Sequence, residues 1–127
     1  MNEAISKIVS LTGIDETKTR KAVGMILSFL KKEGPPDAVQ KLMSSFPDAS
    51  ALAAEGDSSS SGGLMAMAGS FGGGLMALGT KLMSLGLSMG QVQSLSKAVF
   101  TVGRDYAGED TMGELVANIP GLSQFAA

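Results

Sequence analysis

Apolar residues recur every three or four positions along the first third of the chain. Ala4, Ile5, Ile8, Val9 and Leu11 make one stripe, and Ala22, Val23, Ile26, Leu27, Phe29 and Leu30 make a second, wider one. An α-helix repeats every 3.6 residues, so this spacing puts each set on one helical face and predicts two amphipathic helices parted at Gly13. Asp15 is the expected N-cap of the second, with its carboxylate accepting first-turn amides, and Glu16 complements the positive end of the helix dipole. That helix is expected over 16–33. It must stop at Gly34-Pro35-Pro36, because proline lacks an amide hydrogen and disfavours helix in the residue before it. Val39, Leu42, Met43 and Phe46 predict a third helix reaching Pro47, and Ala49, Leu52 and Ala53 a short helical tail.

Residues 55–63 read EGDSSSSGG. Nothing in that stretch can pack or hold a fixed backbone, so a linker is expected to start there. Beyond it the first unit recurs at a constant shift of 73 positions: Gly13 falls on Gly86, Asp15 on Ser88, Ile26 on Val99, Leu42 on Leu115 and Pro47 on Pro120. Core, cap and breaker roles recur together, which predicts helices near 74–85, 88–106 and 110–119. Ser88 with Gln91, and Thr111 with Glu114, each match the capping box, in which a hydroxyl and a longer side chain satisfy one another's backbone amides. The expected fold is all-α: a pseudo-symmetric helical bundle of two duplicated three-helix units joined by a Ser/Gly-rich linker. Its parts are a first unit at 1–54, a Ser/Gly/Met-rich linker and hinge at 55–73, and a second unit at 74–127.

Composition narrows the chemistry. The 127 residues include no His and no Cys. The usual ligands of zinc, haem and iron-sulfur clusters are therefore missing, as are Ser-His-Asp and Cys-His catalysis, and no cofactor or metal is expected. Ten basic and twelve acidic residues give a formal charge of −2, without the positive field that gathers a phosphate backbone. Lys18, Arg20, Lys21, Lys31 and Lys32 make one helix locally basic, yet Gln91, Gln93 and Ser94 stand at the repeat positions of the first three, so a solvated face is expected and no nucleic-acid partner. The amino-terminal stretch has Glu3 and only a short apolar run, unlike a secretory signal, so a cytoplasmic protein is expected.

Two further clusters have bland readings that fit better. Asp105, Glu109, Asp110 and Glu114 surround one expected inter-helix loop, where acids at helix starts complement the dipole; they lack the alternating pattern of a calcium loop. Gly74, Gly79, Thr80 and Lys81 echo a phosphate-binding loop, but lysine must precede the hydroxyl residue and a strand must come first. Neither supports an enzyme.

The uncharged stretch 64–80 stands apart, with Gly69, Gly73 and Ala77 spaced by four. Small residues at that spacing allow close helix approach. The stretch is nonetheless shorter than the roughly twenty strongly apolar residues of a membrane span and is interrupted by Gly69, Ser70, Gly72, Gly73 and Gly74. The expected picture is a glycine hinge followed by a helix from about Gly74, with Met65, Met67, Met76, Met83 and Met89 as adaptable packing groups. A partner-binding surface of Met65, Met67, Phe71, Leu75, Met76 and Leu78 is expected, because flexible thioethers and small neighbours let a surface repack. The expected function is a non-enzymatic protein–protein interaction module or accessory subunit, acting on a protein partner or by self-association. The alternative is a peripheral membrane or stress-related protein that sets 64–80 into a lipid interface.

The segments GIDETKTRKAVGMILSFLKKEGPPDAVQKL and AGEDTMGELVANIPGLSQF, with a Gly/Met-rich centre between them, resemble small bacterial proteins of a domain of unknown function, family two-two-six-seven, and more loosely the YidB-like helical proteins. The resemblance spans nearly the whole chain apart from the Ser-rich linker and rests on apolar and turn positions. It implies an all-helical bacterial protein and carries no catalytic residue or cofactor with it.

Overall fold

A computed structural model describes residues 3–59 and 74–119. Among these there are seven helices and no strand: α1 (Glu3–Thr12), α2 (Glu16–Glu33), α3 (Pro36–Ser45), α4 (Ala49–Ser59), α5 (Gly74–Ser84), α6 (Met89–Ala107) and α7 (Glu109–Asn118). The fold is all-α.

The local chemistry explains most of the boundaries. At the end of α1 the Thr12 hydroxyl donates to the Ile8 carbonyl (2.8 Å) and accepts from the Ile14 amide (3.2 Å), and Gly13 takes the left-handed conformation (φ 72°) that a side chain disfavours. Asp15 then caps α2, its carboxylate accepting from the amides of Thr17 (3.1 Å) and Lys18 (3.4 Å). At the far end Gly34 donates to the Leu30 carbonyl. Pro36 opens α3, where a missing amide costs nothing because that group has no helical partner. Ser88 and Gln91 form the expected capping box of α6, at 2.9 and 3.2 Å.

Three expectations need correction. The helical tail is longer than the pattern indicated: α4 continues through 55–59, where a linker was expected to start. Once Leu52 and Ala53 are buried, each added residue gains a backbone hydrogen bond without a new nucleation step, so weak helix formers are carried along. Thr111 and Glu114 form no capping box, because α7 starts earlier with Gly108 (φ 98°) at its N-cap and no side-chain cap. Thr111 is instead buried, and Glu109 and Asp110 occupy the first turn. Leu11 leaves the core; it is 60% exposed, since the stripe on α1 runs off the packed face in the last turn.

Packing centres on α2, where Ala22 to Ser28 are buried without a break and Leu30 follows. Its most extensive neighbour is α4. Gly24 and Ser28, one turn apart and both buried, present little bulk, and Ala49 and Ala53 do the same on α4, so two backbones of this kind can approach closely. Further contacts cross the chain. Helix α1 lies against α6, α5 lies against α2, and α3 lies against α7 and α6. A single cluster of buried side chains draws on all seven helices, from Ile5 and Ile8 through Leu27, Leu42 and Leu52 to Leu82, Phe100 and Leu115.

Two glycines mark close approaches. A Cβ on Gly34 would stand 2.6 Å from Leu115 Cδ2 and 2.7 Å from the Leu30 carbonyl oxygen; one on Gly103 would meet the sulfur and methyl of Met112 at 3.0 and 2.8 Å. Tyr106 ties together three elements. Its ring meets Phe46 edge-on (centroids 5.9 Å apart, 62° between planes), and the Lys7 ammonium sits 5.0 Å from its centroid. The Tyr106 hydroxyl is buried with no hydrogen-bond partner.

These contacts set the expected response to substitution. Gly34→Ala should lower unfolding free energy in urea by about 1–3 kcal/mol, since a backbone oxygen cannot yield, whereas Gly103→Ala should cost less because the end of Met112 can swing aside. Tyr106→Phe should raise the urea midpoint, with a gain of about 1 kcal/mol, because it removes a hydroxyl that has lost its water and keeps the ring face for Lys7. A lower midpoint would mean that the hydroxyl is satisfied in solution.

Candidate interaction surface

The structure divides the six expected partner-binding residues. Met65, Met67 and Phe71 lie outside the described residues. Leu75 and Met76 belong to the first turn of α5. Leu78 is 6% exposed and sits in the central cluster, so its assignment to a binding surface is corrected: it is a core residue, on the side of α5 that meets α2 and α6.

The large apolar side chains that do reach solvent, among the described residues, are Leu11 (60% exposed), Met83 (45%) and Met89 (57%). Met83 and Met89, expected as adaptable packing groups, therefore stand outside the central cluster. All three flank a turn that leads into a long helix. Leu11 is in the last turn of α1, before the entry to α2; Met83 closes α5 and Met89 opens α6.

The turn between Met83 and Met89 is held firmly. Leu85 and Gly86 donate to the carbonyls of Leu82 and Met83 (3.1 and 3.0 Å), Gly86 adopts φ 96°, Leu87 is buried and Ser88 caps the next helix. With Leu87 turned inward and Ser88 and Gln91 bonded to each other, Met89 is left at the first helical position facing water. The Lys18 ammonium approaches within 3.3 Å of where a Cβ on Gly86 would stand. This brings a cation to the C-terminal end of α5, where the helix dipole favours it. It also shows that the turn into α6 and the first turn of α2 share one end of the bundle. Asp15, Glu16, Lys18 and Lys21 are exposed at the start of α2, so this end carries apolar groups together with charges of both signs.

The remaining candidates separate cleanly. Asp105, Glu109, Asp110 and Glu114 are all exposed around Gly108, and no group of three or more metal-binding side chains occurs among the described residues. Gly79 and Lys81 lie within α5, where amides are committed to helical carbonyls and cannot cradle a phosphate. Lys18 and Lys21 are exposed while Arg20 is half-buried, so the basic residues of α2 do not form one solvent-facing stripe. Asp37, Gln40, Lys41, Ser44 and Ser45 line a shallow polar depression on α3. Among the described residues, no helix is long and apolar enough to cross a membrane.

Periodicity had no means of finding Leu11 and Met89, because each is apolar and adjoins a helical stripe. The usable signal was their position beside Gly13 and Gly86. Compared with family models, curated proteins and solved structures, the chain matches none.

Stability measurements distinguish the two classes of residue. Leu78→Ala should cost about 2–5 kcal/mol as a buried large-to-small change. Leu11→Ser and Met89→Ser should each stay within about 0.5 kcal/mol of the parent chain in urea unfolding.

Proposed function

We propose that this protein is a non-enzymatic interaction module that presents apolar side chains to a protein partner, on a scaffold made by duplicating one three-helix unit. The observation that carries the reading is the exposure of Leu11, Met83 and Met89, each beside a turn, on a bundle whose other large apolar side chains, where described, are buried or half-buried. Exposed apolar groups beside ordered turns cost solvation in the free protein and repay it when a partner covers them.

The duplication draws support from positions that need not have agreed. Helices α2 and α6 begin at 16 and 89, and α3 and α7 at 36 and 109, so both pairs stand 73 residues apart. Each long helix follows a left-handed glycine, Gly13 or Gly86, and has a side-chain N-cap, Asp15 or Ser88. The buried sets Ala38, Val39, Leu42 and Thr111, Met112, Leu115 keep the same shift. The packing is reciprocal as well, with α1 on α6 and α5 on α2. The sequence resemblance to the bacterial family two-two-six-seven and a cytoplasmic setting belong to the same proposal.

The alternative, a peripheral membrane or stress-related protein using 64–80, draws on the uncharged Met- and Gly-rich composition of that stretch. A variant with Leu11→Ser, Met83→Ser and Met89→Ser separates the readings. The parent chain, used as bait in its native host extract, should retain a partner that the triple variant loses while its circular dichroism is unchanged. Equal recovery by both chains, or flotation of the parent with vesicles and no protein recovered, would overturn the interaction reading.

A further inference from the structure

We propose that Met83 and Met89 form an oxidation site, where hydrogen peroxide converts two thioethers to sulfoxides and the turn they flank changes from apolar to polar while the fold stands. The consequence drawn below for partner binding rests on the interaction-module reading.

The sequence leaves an oxidant few targets. With no Cys and no Trp in the chain, two-electron oxidation by peroxide falls on methionine. Susceptibility follows exposure, because a peroxide oxygen must reach a sulfur lone pair. Among the described side chains, Met25 and Met112 are buried and Met43 is half-buried, whereas Met83 and Met89 are exposed. The two accessible sulfurs therefore flank one turn.

That turn does not depend on them. Met83 contributes its carbonyl, which accepts from the Gly86 amide at 3.0 Å. The other constraints are Gly86 at φ 96°, buried Leu87 and the Ser88–Gln91 box that caps α6. None of these involves a thioether, so an oxygen on either sulfur meets water and leaves the turn intact. Met112 is the opposite case. Its side chain is buried and its sulfur lies 3.0 Å from where a Cβ on Gly103 would stand, so a sulfoxide there would put a polar group into a packed core. Oxidation that the fold tolerates and oxidation that disrupts it thus fall on different residues, and the tolerated sites react first.

The step balances without a cofactor. A sulfur lone pair attacks one peroxide oxygen, the S–O bond forms as the O–O bond breaks, and the second oxygen leaves as water with both protons. Sulfur loses two electrons and the peroxide gains them. A thiol-dependent methionine sulfoxide reductase reverses the change, two thiols becoming a disulfide as the oxygen leaves as water. Each oxidation replaces a flexible apolar group with a polar one, so a partner that covers Met83 and Met89 would have to bury a sulfoxide oxygen.

Peptide mapping by mass spectrometry, on the full chain held in hydrogen peroxide for increasing times, tests the site. Met83 and Met89 should gain oxygen at least about tenfold faster than Met25 and Met112. When both carry oxygen, circular dichroism and the urea midpoint should match those of the untreated chain. Elution from a hydrophobic interaction column should come earlier, and that shift should shrink in a Met83→Leu/Met89→Leu variant. Equal rates at buried and exposed methionines, unfolding in step with oxidation of Met83 and Met89, or an elution shift undiminished in the variant would overturn the proposal.

Capture from native host extract tests the consequence. The oxidised chain should lose a partner that the untreated chain holds and regain it after treatment with the reductase, and peroxide should change recovery less in the leucine variant. A partner held equally before and after oxidation overturns the effect on binding and leaves the interaction module standing. An untreated chain that holds no partner overturns the module, and the mapping alone then decides the site.

Discussion

The rest of the structure depends on how α2 is covered. A surface helix keeps one polar face, but α2 is buried on consecutive positions from Ala22 to Ser28, so no single neighbour can shield it. Four helices together provide the cover, with α4 packed on it most extensively, α1 beside it in sequence, α5 from the far part of the chain, and α6 across the centre. Once α2 is placed in this way, the two parts of the chain cannot form separate cores. Leu78 and Leu82 of α5 are buried because α2 needs cover, and α1 finds its own main contact on α6.

This arrangement explains which parts of the fold were legible in the sequence. Helices α2 and α6 could be read to within a residue or so because their limits are set locally, by Asp15, Gly34-Pro35-Pro36 and the Ser88–Gln91 box, none of which needs a distant partner. The end of α4 was not legible, because its helix is sustained through EGDSS by continuity with a segment packed on α2. The start of α7 was misread for a related reason. Thr111 and Glu114 have capping-box chemistry, but the position of Thr111 is claimed by the core, where it forms one buried face with Met112 and Leu115. Burial outweighs one hydrogen bond to an exposed amide.

The candidate site shows the same limit more sharply. Spacing identifies which residues share a stripe but not where the stripe leaves the core. Leu11 and Ile8 are indistinguishable by period, yet one is 60% exposed and the other wholly buried. Leu78 presents the reverse case. Its uncharged, Met-rich setting reads as a surface that meets a partner, but α5 is the helix with which the second part of the chain covers α2, so its apolar side turns inward. Among the described residues, the methionines that remain outside are Met83 and Met89, where the helices give way to a turn.

On the proposed duplication, the main difference between the two units also falls on this question of cover. Positions 24 and 28 of α2 correspond to 97 and 101 of α6. The first pair is Gly24 and Ser28, buried; the second is Lys97 and Thr101, exposed. A glycine and a serine one turn apart let another backbone come close, and α4 is the helix packed most extensively on α2. A lysine at the first of these positions would have to be stripped of water or displaced for a helix to lie there, and an unpaired buried ammonium is too costly to tolerate. The exchange of one small residue for one charge therefore accompanies the burial of this face on α2 and its exposure on α6.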